Sequence, residues 1–206
     1  HLSLRRQRQM CIRDSPKRDF ARRLRFFAAL GSIATRLPES SNLCRHIHLK
    51  LRATMRITQA TLEHLDLLTP LFVKYREFYG ALPYPDSSRA FLEKRLRRKE
   101  SVIYLALADD DSNKLLGFCQ LYPSFSSLSL KRVWILNDIY VAEDARRQLV
   151  ADNLMRTAKK MAKETNAVRL RVSTSSNNEV ARKTYESMGF REDTEFKNYV
   201  LPLSDD

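Results

Sequence analysis

The residues whose types could do chemistry gather in the second half of the chain. The stretch 145–155, ARRQLVADNLM, follows an apolar, strand-like run and opens a helical pattern. A loop at a helix N-terminus offers unsatisfied N–H groups and the positive end of the helix dipole, an ordinary place to hold a phosphate. Loops that do so are usually glycine-rich, because the backbone must come close to the anion. This one has no glycine, and none occurs between Gly117 and Gly189. On residue type alone it is a working cradle, an impaired one, or a plain helix start with solvated arginines. Just upstream, Asp138 sets a carboxylate near the end of the apolar run, where it can meet a substrate cation or merely pair with an arginine. Downstream, Tyr185 lies on a helical pattern over 178–188, where a phenol can give a proton or pack in a core. Asn178 opens that pattern and suits an N-cap.

Holding these groups requires a scaffold, and hydrophobic periodicity supplies one from Met55 onward. Residues 55–60 alternate as a first strand. Residues 61–79 carry Leu62, Leu65, Leu68, Leu71, Phe72, Tyr75 and Tyr79 at helical spacing and stop at Gly80. After the turn-rich segment 81–88, a basic amphipathic helix runs to about Lys99, and its KRLRRK run reads as a solvated face. Strand patterns follow over 102–108, 114–122 and 130–141, the last almost continuously apolar at its end, as a strand covered on both faces should be. A helix over 150–165, a strand over 168–173, a helix over 178–188 and one or two strands within 190–203 complete the pattern. The order β-α-α-β-β-β-α-β-α-β(-β) predicts an α/β (α+β) fold with a mixed, mostly antiparallel sheet flanked by helices.

The charge is unevenly spread. Residues 1–54 hold 13 Lys/Arg against 3 Asp/Glu, while residues 55–206 hold 24 against 21. The basic signal therefore belongs to a leader, and no nucleic-acid partner is expected for 55–206. Three readings of the leader compete: a nucleic-acid arm, an organellar transit segment, or non-native sequence. RQMCIRDS resembles translated adapter read-through, so the expectation is a non-native or disordered leader followed by one domain over 55–206. Cys11, Cys44 and Cys119 have no metal-ligand spacing, and Cys119 lies within a strand pattern as a buried thiol. No apolar run approaches the ~20 residues that span a bilayer, so the expectation is a cytoplasmic protein with no membrane contact.

With these elements in order, the chain resembles the GNAT N-acetyltransferases. The run Ile139-Tyr140-Val141, then Arg146 and Ala151, matches the family's strand and phosphate-loop pattern, with Leu149 where a glycine is usual. Asn178, Ala181, Tyr185, Gly189 and Phe190 match the later Asn-x-x-Ala-x-x-x-Tyr-x-x-x-Gly-Phe pattern in full. The resemblance covers roughly residues 55–203.

The resemblance implies acetyl-CoA as co-substrate, no metal, and transfer of acetyl to an amine by direct attack in a ternary complex. It implies that the N–H groups of Arg146, Arg147, Gln148, Leu149, Val150, Ala151 and Asp152 surround the pyrophosphate. Ile139, Tyr140 and Val141 would run beside the pantetheine arm, and Asn178 would contact the CoA or a bridging water. Tyr185 would be the acid for the departing thiolate, also touching the cofactor. Asp138 would be the base, or would orient the cation while water carries the proton, since Asn137 stands where an acid is common. Tyr75, Tyr79, Tyr84 and Tyr122 would form the acceptor pocket, unless they are core. The expected acceptor is a small-molecule amine such as a polyamine, an amino acid or an aminoglycoside-like compound. A protein N-terminus or lysine is the alternative acceptor, a CoA-binding sensor with weak catalysis the alternative function, and a homodimer is an open assembly.

Overall fold

A computed structural model describes residues 55–110, 112–196 and 198–203 of the chain; the leader and the readings placed on it lie outside them. Five strands form one sheet in the order β1-β2-β3-β4-β5: β1 Met55–Gln59, β2 Val102–Ala108, β3 Leu115–Ser126, β4 Lys131–Val141 and β5 Arg169–Val172. The first four pair antiparallel, and β4 pairs with β5 in parallel. Helices α1 Leu65–Phe78 and α2 Pro85–Arg97 join β1 to β2, α3 Val150–Glu164 is the crossover between β4 and β5, and α4 Glu179–Ser187 follows β5.

The sheet divides two cores. Ile103, Leu105, Leu107, Leu115, Phe118 and Tyr140 face α1 and α2, where they meet Leu65, Leu68, Leu71, Phe72 and Leu92. Cys119, Leu121, Trp134, Leu136 and Ile139 face the other side, against α3 and α4. Helix α3 presents one stripe there, Val150, Leu154, Met155, Ala158, Met161 and Ala162, at the spacing of a helix face. Each fully buried Leu or Met of that stripe contributes about 1.5–3 kcal/mol by leaving water. Cys119 is a buried free thiol, pushed up to about 12 by that burial.

Some boundaries differ from the sequence expectation. Helix α2 starts at Pro85 rather than at residue 88: proline at the first helical turn needs no N–H acceptor and is already set at a helical φ. Strand β3 runs on to Ser126, through Pro123. Strand β2 stops pairing at Leu121, so Pro123 lies where one side of β3 is an edge, which tolerates a missing N–H. No strand forms among the described residues of 190–203. Their alternation permits a strand but supplies no ladder partner, and Phe196, Tyr199, Leu201 and Leu203 stay exposed. An Arg171–Asn198 side-chain hydrogen bond of 2.6 Å ties this tail to β5.

Candidate active site

The site begins with a fault in strand pairing. Gln120 stands opposite Asp138, but the next residue of β3, Leu121, stands opposite Leu136, so Asn137 is an extra residue on β4. Such a bulge reverses the alternation of the strand beyond it. Trp134 and Leu136 point into the core under α3; without the bulge Asp138 would follow them. It faces α1 instead, together with Tyr140. There it is buried and its Oδ1 accepts hydrogen bonds from the Tyr75 hydroxyl and, at 3.0 Å, from the Asn137 side-chain amide. Burial raises the Asp138 carboxyl above the ordinary carboxylate range, and the two donors hold the rise in check.

Aromatic side chains crowd the same face. The Tyr75 ring lies 5.0 Å from Tyr79, 5.7 Å from Phe118 and 6.1 Å from Tyr140, all edge-on. Burial and the neighbouring carboxylate both push the Tyr75 phenol upward. Tyr122 lies two residues beyond Gln120 on β3, and burial, reinforced by the Asp138 charge, pushes it up to about 12. Gln120 donates to the Tyr122 hydroxyl, while its own Oε1 is buried without a partner. Tyr84 departs from this group. It is exposed at the start of α2, with the Arg76 guanidinium 5.9 Å from its ring centroid.

Tyr185 comes from the opposite side of the sheet. It is buried on α4 against Phe190, ring centroids 5.7 Å apart. Burial raises its phenol above the ordinary range, and Tyr79, at the end of α1, adds to the rise. Tyr79 also adds to the rise of the Tyr75 phenol, against whose ring it packs edge-on. Asn178 caps α4, its Oδ1 accepting from the Ala181 N–H at 3.1 Å.

Toward the carboxyl end of β4, β4 and β5 part. They pair only from Val133 with Arg169 to Leu136 with Val172, so beyond the bulge Ile139, Tyr140 and Val141 have no β5 neighbour. Backbone groups along that side of β4 are available to an extended ligand that adds like a strand. A crevice at the carboxyl ends of two parallel strands is also where open α/β sheets ordinarily bind ligands.

At the mouth of the crevice lies the loop 146–149. Arg147 and Leu149 adopt φ of 66° and 62°, in the left-handed region that favours glycine. Backbone of this kind turns successive N–H groups toward one side and forms an anion-binding concavity. Leu149 is the N-cap of α3 and provides no side-chain acceptor, so the first-turn N–H groups of Val150, Ala151 and Asp152 have no intrahelical partner. Leu149 is 51% exposed and its carbonyl accepts from the Asn153 N–H at 3.0 Å. The Gln148 side chain donates to the Asp144 carbonyl at 3.0 Å, fastening the loop. Arg146 pairs with Glu143 at 3.5 Å. Asp152 brings a negative charge into the first turn, so only its backbone suits a phosphate. Gly117 of β3 lies beneath: a Cβ there would meet the Tyr140 carbonyl oxygen at 2.8 Å and Val150 Cγ1 at 2.9 Å, so glycine lets α3 start this close to β3. Open N–H groups, a concave loop and a parted strand suit a long ligand with a pyrophosphate at one end.

Among the described residues there is no group of three or more His, Cys, Asp or Glu that could hold a metal ion, and no helix long and apolar enough to cross a membrane.

The mixed five-stranded sheet, with β4 and β5 parted, is a fold that comparison with known proteins assigns to a class. Residues 65–190 match the acetyltransferase (GNAT) family. The Bacillus subtilis (strain 168) uncharacterized N-acetyltransferase YhfO is 41% identical over 147 residues, 71% of this chain and 97% of that protein. A probable acetyltransferase of Haemophilus influenzae (strain ATCC 51907 / DSM 11121 / KW20 / Rd) is 35% identical over 153 residues, 73% of this chain and 99% of that protein. A crystal structure of a probable acetyltransferase superposes with a TM-score of 0.71 at 81% identity, covering 73% of this chain and 99% of that one. The chain belongs to the GNAT family and is an acetyl-CoA-dependent N-acetyltransferase.

Sequence reasoning did not single out Gln120 or Arg76. A polar residue inside the apolar run LLGFCQLY was the available signal for Gln120. Arg76, beside Tyr75 on an otherwise ordinary amphipathic helix, gave none.

Proposed function

We propose that the chain acetylates a primary amine of a small molecule by direct attack in a ternary complex. The observation that carries this reading is Asp138, a buried carboxylate turned by the Asn137 bulge toward the aromatic face beside the parted strands. Acetyl-CoA supplies the acetyl group as a thioester whose sulfur departs as a thiolate. Asp138 holds the acceptor ammonium and, with its proton affinity raised, takes the proton that the amine must lose to become nucleophilic. Tyr185, kept protonated by burial, gives its hydroxyl proton to the departing sulfur. The N–H groups of residues 146–152 grip the pyrophosphate, and Ile139, Tyr140 and Val141 run alongside the pantetheine arm. Tyr75, Tyr79 and Tyr122 surround the acceptor and exclude water from it, while Tyr84 stands at the rim.

The test combines binding and turnover. Acetyl-CoA raises the Tm of the full chain, and free thiol is released when an amine panel is added. Absence of a shift at millimolar acetyl-CoA would sink the reading. A second reading, a CoA-binding sensor with weak catalysis, draws on Leu149, whose left-handed backbone strains the phosphate loop. A Tm shift without thiol release from any amine favours it.

A further inference from the structure

Tyr75 takes part in two places at once. Its hydroxyl reaches Asp138, and its ring lines a cavity of about 370 Å³ between α1 and α2. Phe72 and Arg76 of α1 and Ser87, Ser88 and Phe91 of α2 complete the walls. The volume falls in the ordinary range for small-molecule pockets. Phe72 and Phe91 stack with centroids 6.0 Å apart, so the walls are largely aromatic.

Arg76 is the charged residue among them. Its Nη1 donates to Ser88 Oγ at 3.1 Å, and its guanidinium lies over the Tyr84 ring. These contacts fix the fork in place but provide no countercharge. The arginines of α2 are different: Arg89 pairs with Asp66 and Glu93, Arg95 with Glu100, and Arg97 with Glu93. Among the described residues no carboxylate pairs with Arg76, although it is half-buried. A guanidinium so held, with donors to spare beside apolar walls, matches the planar geometry of a carboxylate.

Building on the acetyl-transfer reading above, we propose that this cavity anchors the far end of the acceptor: the substrate is a primary amine with an apolar or aromatic body and a carboxylate that binds Arg76. The ammonium lies at Asp138, the body beside Tyr75, Phe72 and Phe91, and the carboxylate on the guanidinium. Opposite charges at the two ends give the site a direction. A polycationic amine would set like charge against Arg76, so polyamines and aminoglycosides are poor acceptors.

The experiment compares two probes of equal length, 4-(aminomethyl)phenylacetate and its carboxamide, as acceptors for the wild-type full chain. The carboxylate is preferred by about tenfold or more in kcat/KM, the usual scale of a charge-assisted pair. Arg76→Gln abolishes the preference by raising KM for the carboxylate, with kcat and the KM for acetyl-CoA within about twofold of wild type. Arg76→Lys restores part of it, which a purely structural arginine would not do. Equal use of the two probes by the wild type overturns the inference without any variant, and so does preference for a diamine of the same length. If acetyl-CoA neither binds nor is consumed, the acetyl-transfer reading fails instead. Calorimetry with the two probes alone then decides the cavity: tighter binding of the carboxylate by tenfold supports it, and equal binding overturns it.

Discussion

The Tyr75 hydroxyl donates a hydrogen bond to Oδ1 of Asp138, joining the last turns of α1 to the strand segment just past the β4 bulge. The bond does two opposing things to the carboxylate. The ring that brings the donor also helps to bury Asp138, which raises its proton affinity; the donor itself favours the ionised form. Replacing Tyr75 with Phe keeps the burial and removes the donor. The acid limb of the kcat/KM profile for the acceptor should therefore move to higher pH, and stability should fall by about 1.5–3 kcal/mol, the scale of a hydrogen bond to a charged group. An unmoved limb would separate Tyr75 from the titration.

Asp138→Asn keeps an acceptor for the Tyr75 hydroxyl and removes the proposed base. The expected loss in kcat/KM is about 10²–10⁴-fold, with the acid limb abolished. Stability should change in the opposite sense. Because the folded-state carboxyl titrates above its unfolded value, its contribution is fully present at low pH and lost as pH rises through the folded value. The Asn variant should melt higher than wild type at neutral pH, and the gap should narrow on acidification. Melting curves across the acid range check the sign.

Tyr185→Phe deletes a buried hydroxyl at the α4 side of the crevice while the ring and its packing on Phe190 remain. Steady-state kinetics should show kcat reduced by about 10²-fold with little change in the KM for acetyl-CoA. A drop confined to KM would reassign Tyr185 from proton donor to binding.

Leu149 holds a backbone φ of 62°, which costs a non-glycine residue about 1–2 kcal/mol. Leu149→Gly removes both this strain and a side chain at the phosphate loop, so the KM for acetyl-CoA should fall severalfold. The gain in stability should be smaller than the strain alone, because glycine also loosens the unfolded chain. Isothermal titration with CoA measures the first effect and thermal melting the second. An unchanged or higher KM would show that leucine is accommodated in the loop without penalty.

Gly117→Ala drives a methyl into the Tyr140 carbonyl and Val150, both held by the sheet and the first turn of α3. Overpacking of this kind costs about 1–3 kcal/mol. Because the clash lies under the loop proposed to hold the pyrophosphate, the variant should also raise the KM for acetyl-CoA, which an overpacked site remote from the loop would not do.

Much of this protein could be read from its sequence because the signals are local. Apolar spacing located each α-helix and strand from Met55 to Ser187, and β2 emerged with the bounds that its pattern predicts. The Asn178-to-Phe190 pattern named Tyr185, and the missing glycine singled out Leu149, whose backbone is left-handed. Periodicity and backbone chirality depend on neighbours within a turn or two, which a single chain states openly.

The rest was decided by pairing between distant segments. Nothing within LKRVWILNDIYV shows that Asn137 is squeezed out of register; that follows from how β3 meets β4. The bulge turns Asp138 toward α1 and so gives it Tyr75 as a partner. The strand pattern over 190–203 failed in the converse way, since alternation allows a strand but only a neighbouring strand can make one. Arg76 needed the packing of α1 on α2, which forms a cavity lined by its side chain and, among the described residues, brings it no carboxylate. The chain by itself determined the elements and the chemically able residues, because hydrophobic periodicity and backbone preference are set within a turn or two. Tertiary structure decided which face each residue serves, because register is a relation between strands and no single strand contains it.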